Sequence, residues 1–280
     1  MNQLHRRGFL KTTGLVGAAL LTDGGLALAQ TKTASKSGKL HGVNLGGWLV
    51  LEKWIKPSLF AGQTAEDEYS LSQALGKEKA AALLQKHRES WITADDFKWL
   101  AAHGINSVRL PVGYWVAEDN PPFITGLETM DWAFRMAKAN GLSVLLDLHG
   151  VPGSQNGWDH SGRQGAIAWP TSKDNVAHSL RVIEDLAARC QDFDNLLGIE
   201  LVNEPRDVVP LEILKSYYQE GYQRVRKHLG AERAAVVFHD SFRPFAWNNF
   251  MLEAEYGNVI LDTHLYQCFS DQDHQRDISG

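Results

Sequence analysis

The stretch "GIELVNEPR" (198–206) runs apolar through Ile199, Leu201 and Val202 and then presents an amide and a carboxylate side by side, Asn203 and Glu204, before Pro205. Five other short apolar runs share this form. They are "HGVNLGGW" (41–48), "INSVRLPV" (105–112), "SVLLDLHG" (143–150), "AAVVFHDS" (234–241) and "NVILDTHLY" (258–266); the first run quoted extends back to 196. Near-continuous apolar runs rich in β-branched residues suit parallel strands covered on both faces. Helical patterns lie between them. Thr93 with Asp96 forms a capping-box pattern, and Gly104 closes that helix. A second pattern spans 127–139 and stops at Asn140-Gly141, a third spans 173–190, and a fourth follows Pro210 and ends at Gly230.

Alternating strands and helices predict an α/β fold with a parallel sheet. A doubly wound sheet and a (β/α)8 barrel share that order. "NLGGWLV" lacks the glycine-rich phosphate fingerprint and leads into "LEKWIKPSLF" rather than a helix. The polar residues favour the barrel. Asn44, Arg109, His149, Asn203 with Glu204, His239 with Asp240, and His264 with Tyr266 all fall at the C-terminal ends of successive strands, where barrel active sites gather.

The first 29 residues read as an address. "HRRGFLK" puts twin arginines before Phe9-Leu10, a weakly apolar run follows, and Ala27-Leu28-Ala29 offers a cleavage site. This resembles a twin-arginine (Tat) export signal. Asp23 and two glycines make the run too polar to span ~30 Å of hydrocarbon. Residues 30–39 read as a flexible tether, which leaves 40–280 as one domain. The chain carries a formal charge of −5, and signal removal makes it two charges more negative. That mild acidity argues against nucleic acid or an anionic membrane as partner. The two cysteines, Cys190 and Cys268, fall at opposite ends of the expected barrel and predict no disulfide. Metal-site, P-loop and nucleophile-elbow motifs are absent from the sequence.

A carboxyl group at a strand end can protonate a leaving-group oxygen if burial raises its pKa, and Glu204 is the candidate. It could also merely close a loop. Glu200 lies in phase but ~13 Å earlier at ~3.3 Å per residue, too far for the ~5–9.5 Å of paired glycosidase carboxylates. It belongs lower in the barrel with a polar partner. The second carboxylate must come from another strand.

"HGVNLGGWLVLEKWIKPSLF", "GINSVRLPVGYW", "DLHGVPGSQNGWDHSGR", "GIELVNEPR" and "DTHLYQCF" together resemble the exo-β-1,3-glucanases (glucan 1,3-β-glucosidases) of glycoside hydrolase family 5. The likeness implies a metal-free, cofactor-free, retaining (β/α)8 enzyme acting on β-glucan, monomeric when complete; the Tat-type signal implies a periplasmic or extracellular location. It implies that Glu204 is the general acid/base and that Asn203 meets the sugar's 2-hydroxyl. Arg109 would hold the nucleophile carboxylate. His149, His264 and Tyr266 would line the terminal-glucose subsite, Glu52 and Asp159 would grip its outer hydroxyls, and Trp158 with Phe269 would clamp the next glucose. Simpler roles stand beside these: Arg109 as a structural partner of Glu200, and either histidine as a hydrogen-bonded wall residue. Five tryptophans after strand ends (Trp48, Trp115, Trp158, Trp169, Trp247) suggest sugar platforms, whereas Trp91, Trp99 and Trp132 read as core.

The family nucleophile is a Glu after the seventh strand. Six strands are legible, and the fourteen residues after Tyr266 contain no Glu. The expectation is a barrel truncated after its sixth strand, with no nucleophile in the chain and with the first and sixth strands as open edges. Two function classes remain open. One is a glucanase, with β-1,6- or endo-action as a near alternative. The other is a non-catalytic glycan-binding remnant.

Overall fold

The structure is a computed structural model that describes residues 39–266 together with 268, 269, 271 and 275. The export signal and residues 30–38 of the tether lie outside the described residues.

Six parallel strands form one sheet: β1 (Gly42–Asn44), β2 (Ser107–Gly113), β3 (Ser143–Gly150), β4 (Leu196–Glu200), β5 (Ala235–His239) and β6 (Val259–Asp262). Their spatial order is β1-β2-β3-β4-β5-β6, the same as their order in the chain. A doubly wound sheet would reverse direction at a switch point. Consecutive parallel pairing without reversal is the winding of a (β/α)8 barrel, six strands of which are described here. β2–β5 are buried almost throughout, as continuous apolar runs require. β6 leaves Ile260 and Leu261 exposed, and it and β1 form the two edges of the described sheet.

The helices are α1 (Glu68–Leu75), α2 (Lys77–Trp91), α3 (Ala94–Ala102), α4 (Leu127–Ala139), α5 (Lys173–Arg189) and α6 (Leu211–Arg226). α4 fills the range read from sequence. At the start of α3, Asp96 accepts from the Thr93 N–H at 2.7 Å, as its capping pattern predicts. α6 stops at Arg226, four residues before Gly230. The Arg226 guanidinium takes the carbonyls of Leu229, Ala234 and Gly257 and so ties down the chain that leaves the helix. On α5, Leu180, Ile183, Leu186 and Ala187 form one apolar stripe against the sheet. On α6, the buried Tyr217 and Tyr218 donate to the carbonyls of Leu201 and His239, each at 2.9 Å. Two core tyrosines thereby satisfy the backbone where β4 and β5 end, at the face that carries the polar residues.

The first strand is shorter than its apolar run suggests. After Asn44 the chain leaves the sheet and buries Leu45 and Trp48–Leu51 in a turn. α1 and α2, for which the sequence reading named no helix, fold back on this turn. Trp91 Nε1 donates to Gly46 O at 3.0 Å, Trp48 Nε1 to Arg88 O at 2.9 Å, and His87 Nε2 bonds Gly47 O at 2.8 Å. Among the described residues no helix is long and apolar enough to cross a membrane.

Candidate active site

Glu204 follows β4 with its backbone in the left-handed region, φ 44°. Pro205 disfavours the right-handed helical region, and the chain takes the left-handed region rather than an extended one. For a non-glycine residue this costs of order 1–3 kcal/mol. Surrounding bonds hold it. Asn203 N–H donates to Leu148 O at 3.0 Å. Gln155, fully buried, donates through Nε2 to both His149 O and Asn203 O at 2.8 Å and accepts from Val151 N–H at 3.3 Å. One amide thus pins the ends of β3 and β4 together. Nothing in the sequence singled out Gln155 beyond its place in "GSQNGW".

Below Glu204 lies a buried charged layer. Arg109 Nε and Nη2 meet Glu200 Oε2 and Oε1 at 2.8 and 3.0 Å. Nη2 also reaches Asn203 Oδ1 at 2.8 Å and Asp147 Oδ2 at 3.0 Å, and Nη1 reaches Asn44 Oδ1 at 3.1 Å. Glu200 therefore has the polar partner its depth called for, and Arg109 is that partner. Burial pushes the carboxyls of Glu200 and Asp147 up, opposed by the guanidinium between them. His149 Nδ1 donates to Asp147 Oδ2 at 2.6 Å, and burial keeps its imidazole neutral. Its Nε2 then accepts from Asn203 Nδ2 at 3.4 Å. With Arg109 on the oxygen and His149 on the nitrogen, the Asn203 amide has one orientation.

Glu204 Oε1 accepts from His264 Nδ1 at 2.5 Å and from Tyr266 Oη at 2.6 Å. His264 Nε2 lies 3.3 Å from Asp262 Oδ2. Burial works against charge on His264, but the bonds to Asp262 and Glu204 outweigh it and raise its pKa to about 10. Burial likewise favours a neutral Glu204, but His264 and Tyr266 outweigh it and hold its pKa at about 2. The two residues form an ion pair.

The pair makes stability depend on pH. The His264 contribution is fully present below its unfolded pKa of 6.5 and is lost as pH rises through about 10. The Glu204 contribution is fully present above its unfolded pKa of 4.5 and is lost as pH falls through about 2. Both describe one interaction, so it acts in full only between pH 4.5 and 6.5. His264→Gln should lower the unfolding free energy by on the order of 3 kcal/mol in that window. Urea unfolding at stepped pH should show the gap to wild type shrinking toward pH 10. A gap unchanged from pH 6 to 10 would mean that the pair is not ionic.

The remaining residues surround this centre. Glu52 Oε1 accepts from Gly47 N–H at 2.9 Å, in the turn latched by α2; burial raises its pKa, and Asp159 and Glu204 push the same way. Asp159 opens a short 3₁₀ turn, Asp159–Ser161, tied down by Ser154 Oγ to Ser161 Oγ at 2.7 Å. Gly162 closes it at φ 90°, where a Cβ would strike the Trp115 ring at 2.3 Å. His160, on that turn, was not foreseen: its Nε2 lies 3.5 Å from Glu204 Oε2. Trp158 faces Phe242 edge-on at 6.1 Å, with the Arg206 guanidinium 5.6 Å from its ring. Phe269 is 78% exposed, its ring 5.2 Å from Tyr266. Trp48, Trp115, Trp169 and Trp247 are buried in the core, so of the five strand-end tryptophans only Trp158 keeps a ring near solvent. Trp99, read as core, is 58% exposed and stacks on His103.

His239 accepts from Ser241 N–H through Nδ1 and meets the His264 ring edge-on at 4.4 Å. Glu204, His239 and His264 bring potential metal-ligand atoms within 4.8 Å of one another, as do Glu200, Asp262 and His264. His264 belongs to both groups, and its ring nitrogens already face Glu204 and Asp262. A cation there would have to displace the proton they share.

A parallel barrel sheet with a carboxyl group after its fourth strand, beside a fixed amide, is the framework of a glycoside hydrolase. Residues 73–278 match the family described as cellulase (glycosyl hydrolase family 5), and the chain belongs to that family. It is 49% identical over 243 residues to a glucan 1,3-beta-glucosidase of Blumeria graminis, covering 83% of this chain and 56% of that protein. It is 46% identical over 263 residues to a probable glucan 1,3-beta-glucosidase A of Emericella nidulans, covering 90% of this chain and 63% of that one. The chain thus spans about three-fifths of these relatives' length. Among solved structures, a rutinosidase from Aspergillus niger superposes with a TM-score of 0.75 at 25% identity, covering 84% of this chain and 72% of that one.

Proposed function

We propose that the chain forms the acid/base side of a retaining glycoside hydrolase that releases glucose from β-1,3-glucans. The observation that carries this reading is Glu204 itself: a carboxyl group after β4, on a backbone held at φ 44°, next to an amide of fixed orientation. The glucosidase names of the relatives support the linkage. In this reading Glu204 protonates the glycosidic oxygen while a second carboxylate attacks the anomeric carbon. Water, deprotonated by Glu204, then releases glucose with its configuration kept. The second carboxylate of this reading would stand across the glycosidic bond from Glu204. Its negative charge next to Glu204 would raise the pKa of Glu204 from about 2 toward the range a general acid needs. Glu52 and Asp159 hold the outer hydroxyls of the terminal glucose. Trp158 and Phe269 meet the next sugar. Export through the Tat pathway would deliver the protein to the periplasm or beyond, where it acts as a monomer.

A second reading, a glycan-binding chain without catalysis, draws on one observation: Glu204 is held ionised, which suits a hydrogen-bond acceptor. The deciding experiment follows laminarin by proton NMR with the gene product that carries this chain. Release of β-glucose as the first anomer supports the hydrolase. Binding of laminari-oligosaccharides without glucose release supports the binder, and α-glucose as first product would overturn retention.

A further inference from the structure

The two oxygens of Glu204 are not equivalent. Oε1 is saturated by His264 Nδ1 and Tyr266 Oη at 2.5 and 2.6 Å. Oε2 points the other way, and His160 Nε2 lies 3.5 Å from it. A proton passes to a leaving group only from an oxygen the leaving group can reach at ~2.6–3.2 Å. If Glu204 is the acid, Oε2 is the oxygen that delivers the proton. The glycosidic oxygen must then dock beside His160.

His160 is built to meet it. Its ring lies 5.4 Å from Trp158 and 5.1 Å from His149, on the 3₁₀ turn fixed by Ser154 and closed at Gly162. Its Nδ1 is buried and finds no hydrogen-bond partner among the described residues. An N–H buried without an acceptor is rarer and costlier than an under-satisfied acceptor, so the ring hydrogen belongs on Nε2. Burial, with His149 next, lowers the His160 pKa to about 4, so the ring is a neutral donor at ordinary pH.

Resting on the functional reading above, we propose that His160 is a specificity-determining residue for the leaving group: its Nε2–H faces Glu204 Oε2 before substrate binds and passes to a hydroxyl of the departing sugar when a glucan binds. In a 1,3-linked glucan the glycosidic oxygen is flanked by hydroxyls on both neighbouring carbons. A phenolic leaving group has none. His160 therefore separates sugar from aryl leaving groups at the bond that breaks.

The test compares laminaribiose with p-nitrophenyl β-glucoside, using the gene product that carries this chain. In His160→Ala, kcat/KM for laminaribiose should fall roughly tenfold, with the aryl glucoside changed less than about twofold. His160→Gln, whose amide nitrogen can stand where Nε2 stands, should recover part of the loss on laminaribiose. Equal losses on both substrates, or no recovery with Gln, would overturn the proposal and leave a packing role. In parallel, the ¹⁵N-imidazole signal of His160 should shift on adding laminaribiose and stay in place with glucose. A shift with both sugars would overturn the assignment to the leaving-group side. A wild-type protein that turns over neither substrate would overturn the functional reading, and this inference with it.

Discussion

Glu204→Gln should reduce turnover of laminarin by roughly 10²–10⁴-fold. The substitution keeps the shape, and an amide oxygen still accepts from His264 and Tyr266 at Oε1. What it removes is the proton delivered from Oε2. The loss should therefore depend on the leaving group. An aryl glucoside that departs without protonation should still form the glycosyl-enzyme, which then accumulates because no base activates water. Azide needs no base and should restore turnover, giving a β-glucosyl azide. The backbone at φ 44° strains Glu and Gln alike, so folding should not differ on that account. Undiminished hydrolysis of laminarin would move the acid/base role to another residue.

The second large effect is on stability. Arg109→Met should destabilise the protein by about 3–5 kcal/mol, because it strands two carboxyls in the interior. Glu200 and Asp147 are both fully buried, and the guanidinium is within 3.0 Å of each. Without it they must take up protons or unfold the layer, so the loss should deepen as pH rises. Asn203 would lose the bond that fixes its oxygen, so damage should extend to sugar binding. Pairing Arg109→Met with Glu200→Met removes one stranded charge and should recover much of the loss. Denaturant unfolding of both singles and the double closes the cycle. A single Arg109→Met costing less than 1 kcal/mol would mean that the layer is hydrated and weak.

The barrel winding was legible because strand order and helix ends follow local rules. α4 and β3 fill the ranges that periodicity and the Asn140-Gly141 stop set out. The pairing of Arg109 with Glu200 was legible because both sit on strands, where depth can be counted residue by residue. The turn after β1 was not. The run read as the first strand extends to Trp48, and only contacts with the distant α2 show that Trp48 goes inward. The strand-end tryptophans misled for the same reason: a loop's composition does not say which of its sides faces the core. Trp99 was a different failure. Phe97 and Leu100 mark the buried face of α3, and Trp99 is out of phase with both, so the helical period alone would have placed it outside. His160 had no sequence signal, since the role proposed for it rests on which oxygen of Glu204 is left open.

Gln155 bears on how such a site can be refashioned. The loop from Val151 to Trp169 carries Trp158, Asp159 and His160, the side chains proposed above to meet the sugar, yet its Gln155 amide also joins His149 O to Asn203 O. Specificity and scaffold are thus written on one segment. Transplanting this loop from a relative with another substrate preference would import both at once. A graft that altered 157–165 while keeping Gln155 would change the clientele and leave the machinery aligned.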